Sequence, residues 1–67
     1  MGFEAHVDRI LADADRNLDG WYFWEDGLNV TDHAVGQRIA DILNESGELE
    51  GYATVDKVAL QVVFRRG

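Results

Sequence analysis

The chain has no cysteine, so neither a disulfide framework nor a thiolate metal site can staple it, and cysteine catalysis is excluded. Lysine and serine occur once each, as Lys57 and Ser46. No apolar run approaches the roughly 18 residues of a membrane span and nothing reads as a signal peptide, so no membrane partner is expected and a cytoplasmic location is. There are no internal repeats, linkers or low-complexity segments. What is present is 67 residues, read as one domain over 1–67. A chain this short sits near the size at which a core alone can offset conformational entropy. Stability must then come from packing, from a second copy or from a bound ion.

Acids outnumber bases 13 to 6, for a net charge of −7; eight of the acids are Asp and five of the bases Arg. An Asp-rich, lysine-poor surface is the expectation for a protein kept soluble in a very salty cytoplasm, that is, from a halophile. A generic acidic protein from a GC-rich genome is the plainer account. In ordinary salt the acidity argues against nucleic acid, where phosphate contacts supply most of the affinity. At molar salt the Debye length falls to about 3 Å and net charge no longer forbids close contact.

Phe3, Val7, Ile10, Leu11 and Ala14 fall on one stripe of a helix over 3–16, with Glu4, His6, Asp8, Arg9, Asp13 and Arg16 on its solvated side. Asn17, Asp19 and Gly20 supply the stop. Trp21 to Trp24 then read as a short strand. Its alternation sends Trp21 and Phe23 one way, Tyr22 and Trp24 the other. Because so small a domain can hardly bury both faces, Trp21, Tyr22 and Trp24 are the expected dimer interface.

A second helix starts at Thr31, the expected cap, with Val30 and Val35 as a hydrophobic staple. Its stripe is Val35, Ile39, Ile42 and Leu43, and Gly47 ends it. Gly36 inside it costs about 1 kcal/mol relative to alanine, which suggests close approach of another backbone. The last third reads as a hairpin. If Asp56-Lys57 is a two-residue turn, Val55 faces Val58, Ala53 faces Leu60, Gly51 faces Val62 and Leu49 faces Phe64, all on one face. Glu48 with Arg65, Tyr52 with Gln61 and Thr54 with Ala59 form the other. A loop longer by two residues is the alternative, since Asp-Lys is not a favoured tight turn.

Helix, short strand, helix and two-stranded hairpin resembles a winged helix, an α+β fold in which the hairpin is the wing. More narrowly, "YFWEDGLNVTDHAVGQRIADIL" followed by a Gly-Tyr strand and "VALQVVFRR" is similar to small winged-helix proteins common in haloarchaea. The matching positions are Tyr22-Phe23, Thr31, Val35-Gly36 and Val62-Val63-Phe64. The chain departs from that pattern between Phe23 and Thr31, where seven residues leave room for only a single helical turn near 24–28, or none. The resemblance implies a DNA-binding transcriptional regulator or architectural protein, a homodimer on double-stranded DNA. The helix from Thr31 would enter the major groove, with His33, Gln37, Ala40, Asp41 and Asn44 outward and Arg38 on the flank. His33, Gln37 and Asn44 would then meet base edges, and Arg38, Lys57, Arg65 and Arg66 phosphates. A solvated face is the plainer reading of the same residues.

Three other readings compete. Asp15, Asn17, Asp19 and Gly20 match calcium-loop positions, with Trp21 and Asp26 completing the loop, but Glu25 falls one residue early and "FWEDGLNV" has no helical stripe to follow it. An enzyme is not expected, because His6 and His33 have no nucleophile beside them and no carboxylate pair falls in a cleft; no cofactor or metal is expected either. The third reading is a winged-helix-like protein-protein interaction or dimerisation module without DNA binding. The reduced helix, the acidic recognition face and the aromatic strand all favour it.

Overall fold

The computed structural model describes residues 2–14, 18–24 and 27–66; the side chains of Phe3 and Trp24 lie outside that description. Helix α1 (Gly2–Ala14) buries Val7, Ile10 and Leu11 from the expected stripe. The expected extension to residue 16 falls outside the described residues. Gly20 carries the turn with φ +85°, and its carbonyl accepts from Thr31 N at 2.7 Å. A Cβ there would stand 2.4 Å from Thr31 Oγ1, so glycine is needed on both counts.

Strand β1 (Trp21–Trp24) follows as expected, but the next segment corrects the reading of 24–28. Gly27–Val30 is a strand, β2, paired antiparallel to β1 with Trp21 opposite Val30 and Phe23 opposite Leu28. No helix lies between Phe23 and Thr31 among the described residues. The reason is the period: Leu28 and Val30 are buried while Gly27 and Asn29 are not, an alternation of two.

Helix α2 (His33–Ser46) is capped by Asp32 rather than Thr31. Asp32 is extended (φ −155°) and its Oδ1 accepts from Val35 N at 2.9 Å. Thr31 is instead held by its bond to Gly20, which closes the β1-β2 pair. Asp32→Ala is expected to cost about 1 kcal/mol, and Thr31→Ala much less, in urea unfolding. The far end is as read: Gly47 is left-handed at φ 72°, and Ser46 Oγ donates to Leu43 O at 2.7 Å and accepts from Glu48 N at 3.2 Å. Gly36 is approached by side chains and not by a backbone, because a Cβ would meet Val30 Cγ2 at 3.1 Å and Val55 Cγ1 at 3.3 Å.

Strands β3 (Gly51–Asp56) and β4 (Gln61–Arg66) form the hairpin around the longer loop. Val55 meets Val62, Ala53 meets Phe64, Tyr52 meets Arg65 and Gly51 meets Arg66. Relative to a two-residue turn, each β3 residue meets the residue four positions further along. An even shift keeps the same residues on the inner face. Asp56 Oδ1 winds the loop by accepting from Val58 N at 3.0 Å and Ala59 N at 3.2 Å. Val58 is left 97% exposed, and Leu60 takes φ 53°. The expected Glu48 and Arg65 pair does not form, and Glu48 bonds Arg9 of α1 instead.

The sheet order is β1-β2-β4-β3, all antiparallel. Val7, Ile10 and Leu11 of α1 and Ile39, Ala40 and Leu43 of α2 share one core with Leu28, Val30, Ala53 and Val62 of the sheet. Both helices therefore cover one face, and no described element covers the other. The protein is α+β, two helices and a four-stranded antiparallel sheet, in an arrangement compatible with a winged-helix-like fold.

Candidate functional site

Helix α2 turns Gly36, Ile39, Ala40 and Leu43 into the core, so Ala40 is not on its outward face. His33, Gln37, Asp41 and Asn44 remain on the surface. All four engage at least one polar atom inside the chain, and Asn44 engages both. His33 Nε2, in the tautomer that carries its proton, donates to Lys57 O at 2.9 Å and ties the start of α2 to the hairpin loop. Gln37 Nε2 donates to Asp41 Oδ1 at 2.9 Å one turn on. Asn44 is bound twice to one residue: Nδ2 donates to Ala53 O at 2.9 Å, and Oδ1 accepts from Ala53 N at 2.7 Å.

The Asn44 pair has a specific place in the sheet. β3 is an edge strand, and in an antiparallel ladder alternate residues aim both backbone groups away from the neighbouring strand. The amide of Asn44 fills the middle of that open edge in the way a further strand would.

The cations expected to meet phosphates stand on α2, on the hairpin loop and on β4. Arg38 lines a cleft of about 390 Å³ between α1 and α2 together with Asp13, Glu45 and Glu48, so it stands among carboxylates. Arg65 and Arg66 are exposed at the end of β4 and border a second cleft of about 530 Å³ floored by Leu49 and Phe64, with Glu48 and Glu50 on its rim. Lys57 is exposed at the other end of the hairpin. Arg38 is on the exposed side of α2 itself, Lys57 meets the start of α2 through its carbonyl, and Arg65 and Arg66 stand at the opposite end of the hairpin from Lys57.

The aromatic strand divides as its alternation requires. Trp21 is half-buried, stacks edge-on against Phe23 (centroids 5.7 Å apart, planes at 87°) and donates from Nε1 to Leu18 O at 3.2 Å. Both rings pack against the core. Tyr22 points to the other side of the sheet and is 53% exposed. The Trp24 side chain lies outside the described residues.

The open side of the sheet was not legible beforehand, because strand β2 was not read as a strand. Register puts Tyr22, Asn29, Gln61 and Asp56 in one row across all four strands. Val63 beside Thr54, then Arg65 beside Tyr52, form the next two rows toward the other end. Gln61 Nε2 donates to Asn29 Oδ1 at 3.1 Å, while Asn29 Nδ2 is closed off from solvent with no hydrogen-bond partner among the described residues. Tyr52 is 45% exposed. The Leu28 and Val30 alternation was the signal that could have found this row.

Of the calcium positions, Asp15, Asn17 and Asp26 lie outside the described residues. Among the described residues no three His, Asp or Glu side chains converge as a metal site. No helix among them is long and apolar enough to cross a membrane. No protein-family model matches the chain, and no curated protein or solved structure is significantly similar to it.

Proposed function

We propose that this chain is a winged-helix-like interaction module that works on protein and does not read DNA bases. The observation that carries the reading is the double bond of Asn44 to Ala53. An asparagine that reads adenine must offer the same two amide atoms to the base. Releasing them here would orphan two backbone groups on a sheet edge, at a cost of about 1–3 kcal/mol for each buried group left unmade. His33 is tied to the hairpin loop by a single bond from Nε2. Around them Asp32, Asp41 and Glu45 outnumber the one exposed cation of the helix, Arg38, on the side that would face phosphates. The acidic surface suits a cytoplasm rich in salt.

Contact with DNA backbone alone, as an architectural protein or regulator of winged-helix type makes it, is the second reading. The exposed pair Arg65 and Arg66 favours it. Binding to mixed-sequence duplex DNA from about 50 mM to molar potassium chloride separates the two, because each phosphate contact adds about −0.9 to the slope of log K against log salt. The interaction module is expected to show no binding at any salt. Binding that weakens along such a slope, and that is abolished in a triple Arg38→Ala, Arg65→Ala, Arg66→Ala variant, would replace it with the DNA reading.

A further inference from the structure

We propose that the open face of the sheet is a self-association surface, and that its partner is a second copy of the same chain stacked sheet against sheet. The proposal rests on the reading of the protein as an interaction module and names the surface and the occupant.

Charge selects the face. Glu4, Asp8 and Asp13 on α1 and Asp32, Asp41 and Glu45 around α2 are all exposed, on the layer that covers the sheet's other side. Among the described strand residues that the register places on the open face, Asp56 and Arg65 are the charged ones, one of each sign. In a chain of net charge −7, a second copy approaching the helices meets these six carboxylates against two exposed arginines, Arg9 and Arg38. Approaching the open face, it meets strand residues whose described charges balance, and keeps the acidic helices on the far sides of the pair.

The face is also complementary to itself. A two-fold axis lying in the interface, at right angles to the strands and over the Val63 and Thr54 row, sets Val63 on the partner's Val63. The same operation carries the Tyr52 and Arg65 end of one copy over the Asp56 and Gln61 end of the other. Each Tyr52 hydroxyl then stands over an Asp56 carboxylate, and each Arg65 is one strand, about 4.8 Å, from the same group. Oδ1 of Asp56 is taken by the loop, which leaves Oδ2 for this contact. Such a closed, isologous pair is the commonest form of oligomer. Tyr22 lies at the rim of the contact and Trp21 outside it, on the core side.

Size sets the strength. Strands about 4.8 Å apart and four to six residues long at about 3.4 Å each make a face of roughly 350 Å² in projection. A stacked pair buries on the order of 1,000 Å² in total, the low end of specific interfaces. The dimer is therefore weak, and its dependence on salt is its signature. With a Debye length near 30 Å at 0.01 M and about 8 Å at 0.15 M, two acidic chains repel over their whole width in dilute salt and only at contact in moderate salt. Association tightens as salt rises, opposite in sign to DNA binding.

Sedimentation equilibrium up to about 1 mM chain, from 0.01 M to 2 M potassium chloride, tests this. The wild type is expected to show a monomer and dimer equilibrium whose Kd falls at least tenfold across the series. Val63→Lys is expected to stay monomeric throughout with an unchanged thermal melt, while Val58→Asp, at the exposed loop, dimerises like the wild type. A wild type that is monomeric at every salt, or a Val63→Lys chain that dimerises as well as it does, overturns the proposal. A chain that dimerises through Val63 and also binds duplex DNA would remove the protein-only reading and leave this surface standing.

Discussion

Alanine at position 51 is expected to destabilise the chain by at least about 3 kcal/mol, among the largest effects a single methyl group can have. Gly51 opens β3 opposite Arg66, and a Cβ built on it would stand 1.8 Å from Arg65 O, 2.9 Å from Arg65 C and 2.9 Å from Arg66 Cα. All three are backbone atoms. No rotamer change relieves them, so β3 would have to move off β4 by more than an ångström where the hairpin begins. The Tyr52 and Arg65 pair is next to be lost. A 67-residue chain has a total stability of only about 3–10 kcal/mol at 0.05–0.15 kcal/mol per residue. At the low end of that range most of the variant is unfolded at 25 °C, and at the high end it loses about a third of its stability, as read by far-ultraviolet circular dichroism and urea titration. A midpoint within the equivalent of about 0.5 kcal/mol of wild type would mean that the close approach of the two strands is not a feature of the protein in solution.

Asn44→Leu is the second large effect, with an expected loss of about 2–3 kcal/mol. Leucine fits a helix and keeps the branched outline of four side-chain heavy atoms while removing both polar ones, so the change tests the amide. Ala53 N and O each lose their partner, while the core residue Ala53, 3% exposed, keeps its packing. A second consequence follows from position. With the middle of the β3 edge unpaired, strand-to-strand association becomes available, and the variant should aggregate at concentrations where the wild type does not. Hydrogen exchange at the Ala53 amide gives the most direct reading: protected in the wild type, fast in the variant. Unchanged protection at that one amide would show that Asn44 does not hold the edge.

The two expectations also show where the reading of the sequence stops. Both helices were visible because Val7, Ile10 and Leu11, and Ile39 and Leu43, repeat at the helical period, and because Gly47 marks an end. The hairpin was visible because its apolar residues alternate. Its register was not, since one-face alternation survives any even shift, and only the two bonds from Asp56 to the loop choose four residues over two. The cap went to Asp32 and not to its neighbour Thr31 because Thr31 closes the β1-β2 pair. Both residue types suit a cap, and the choice between them depends on the carbonyl of Gly20, well back in the chain before β1.

The candidate interface was legible in part, and for a stated reason. Counting around a helix placed His33, Gln37 and Asn44 on the outside of α2, where the structure has them. Counting could not foresee that Asn44 would reach an edge strand or His33 a loop carbonyl, because those partners lie 9 and 24 residues away in the chain. Strand β2 was missed because four residues, two of them Gly27 and Asn29, carry almost no propensity by themselves.

Periodicity, capping chemistry and net charge are local or summed properties, so the sequence alone determined two amphipathic helices, an aromatic strand, a hairpin and an acidic surface. Which polar side chains remain available to a partner depends on what each meets across the fold. That was decided by tertiary structure, which set Asn44 against Ala53 and His33 against the loop. The same packing put both helices on one side of a four-stranded sheet and left Tyr22, Val63 and Tyr52 on the other.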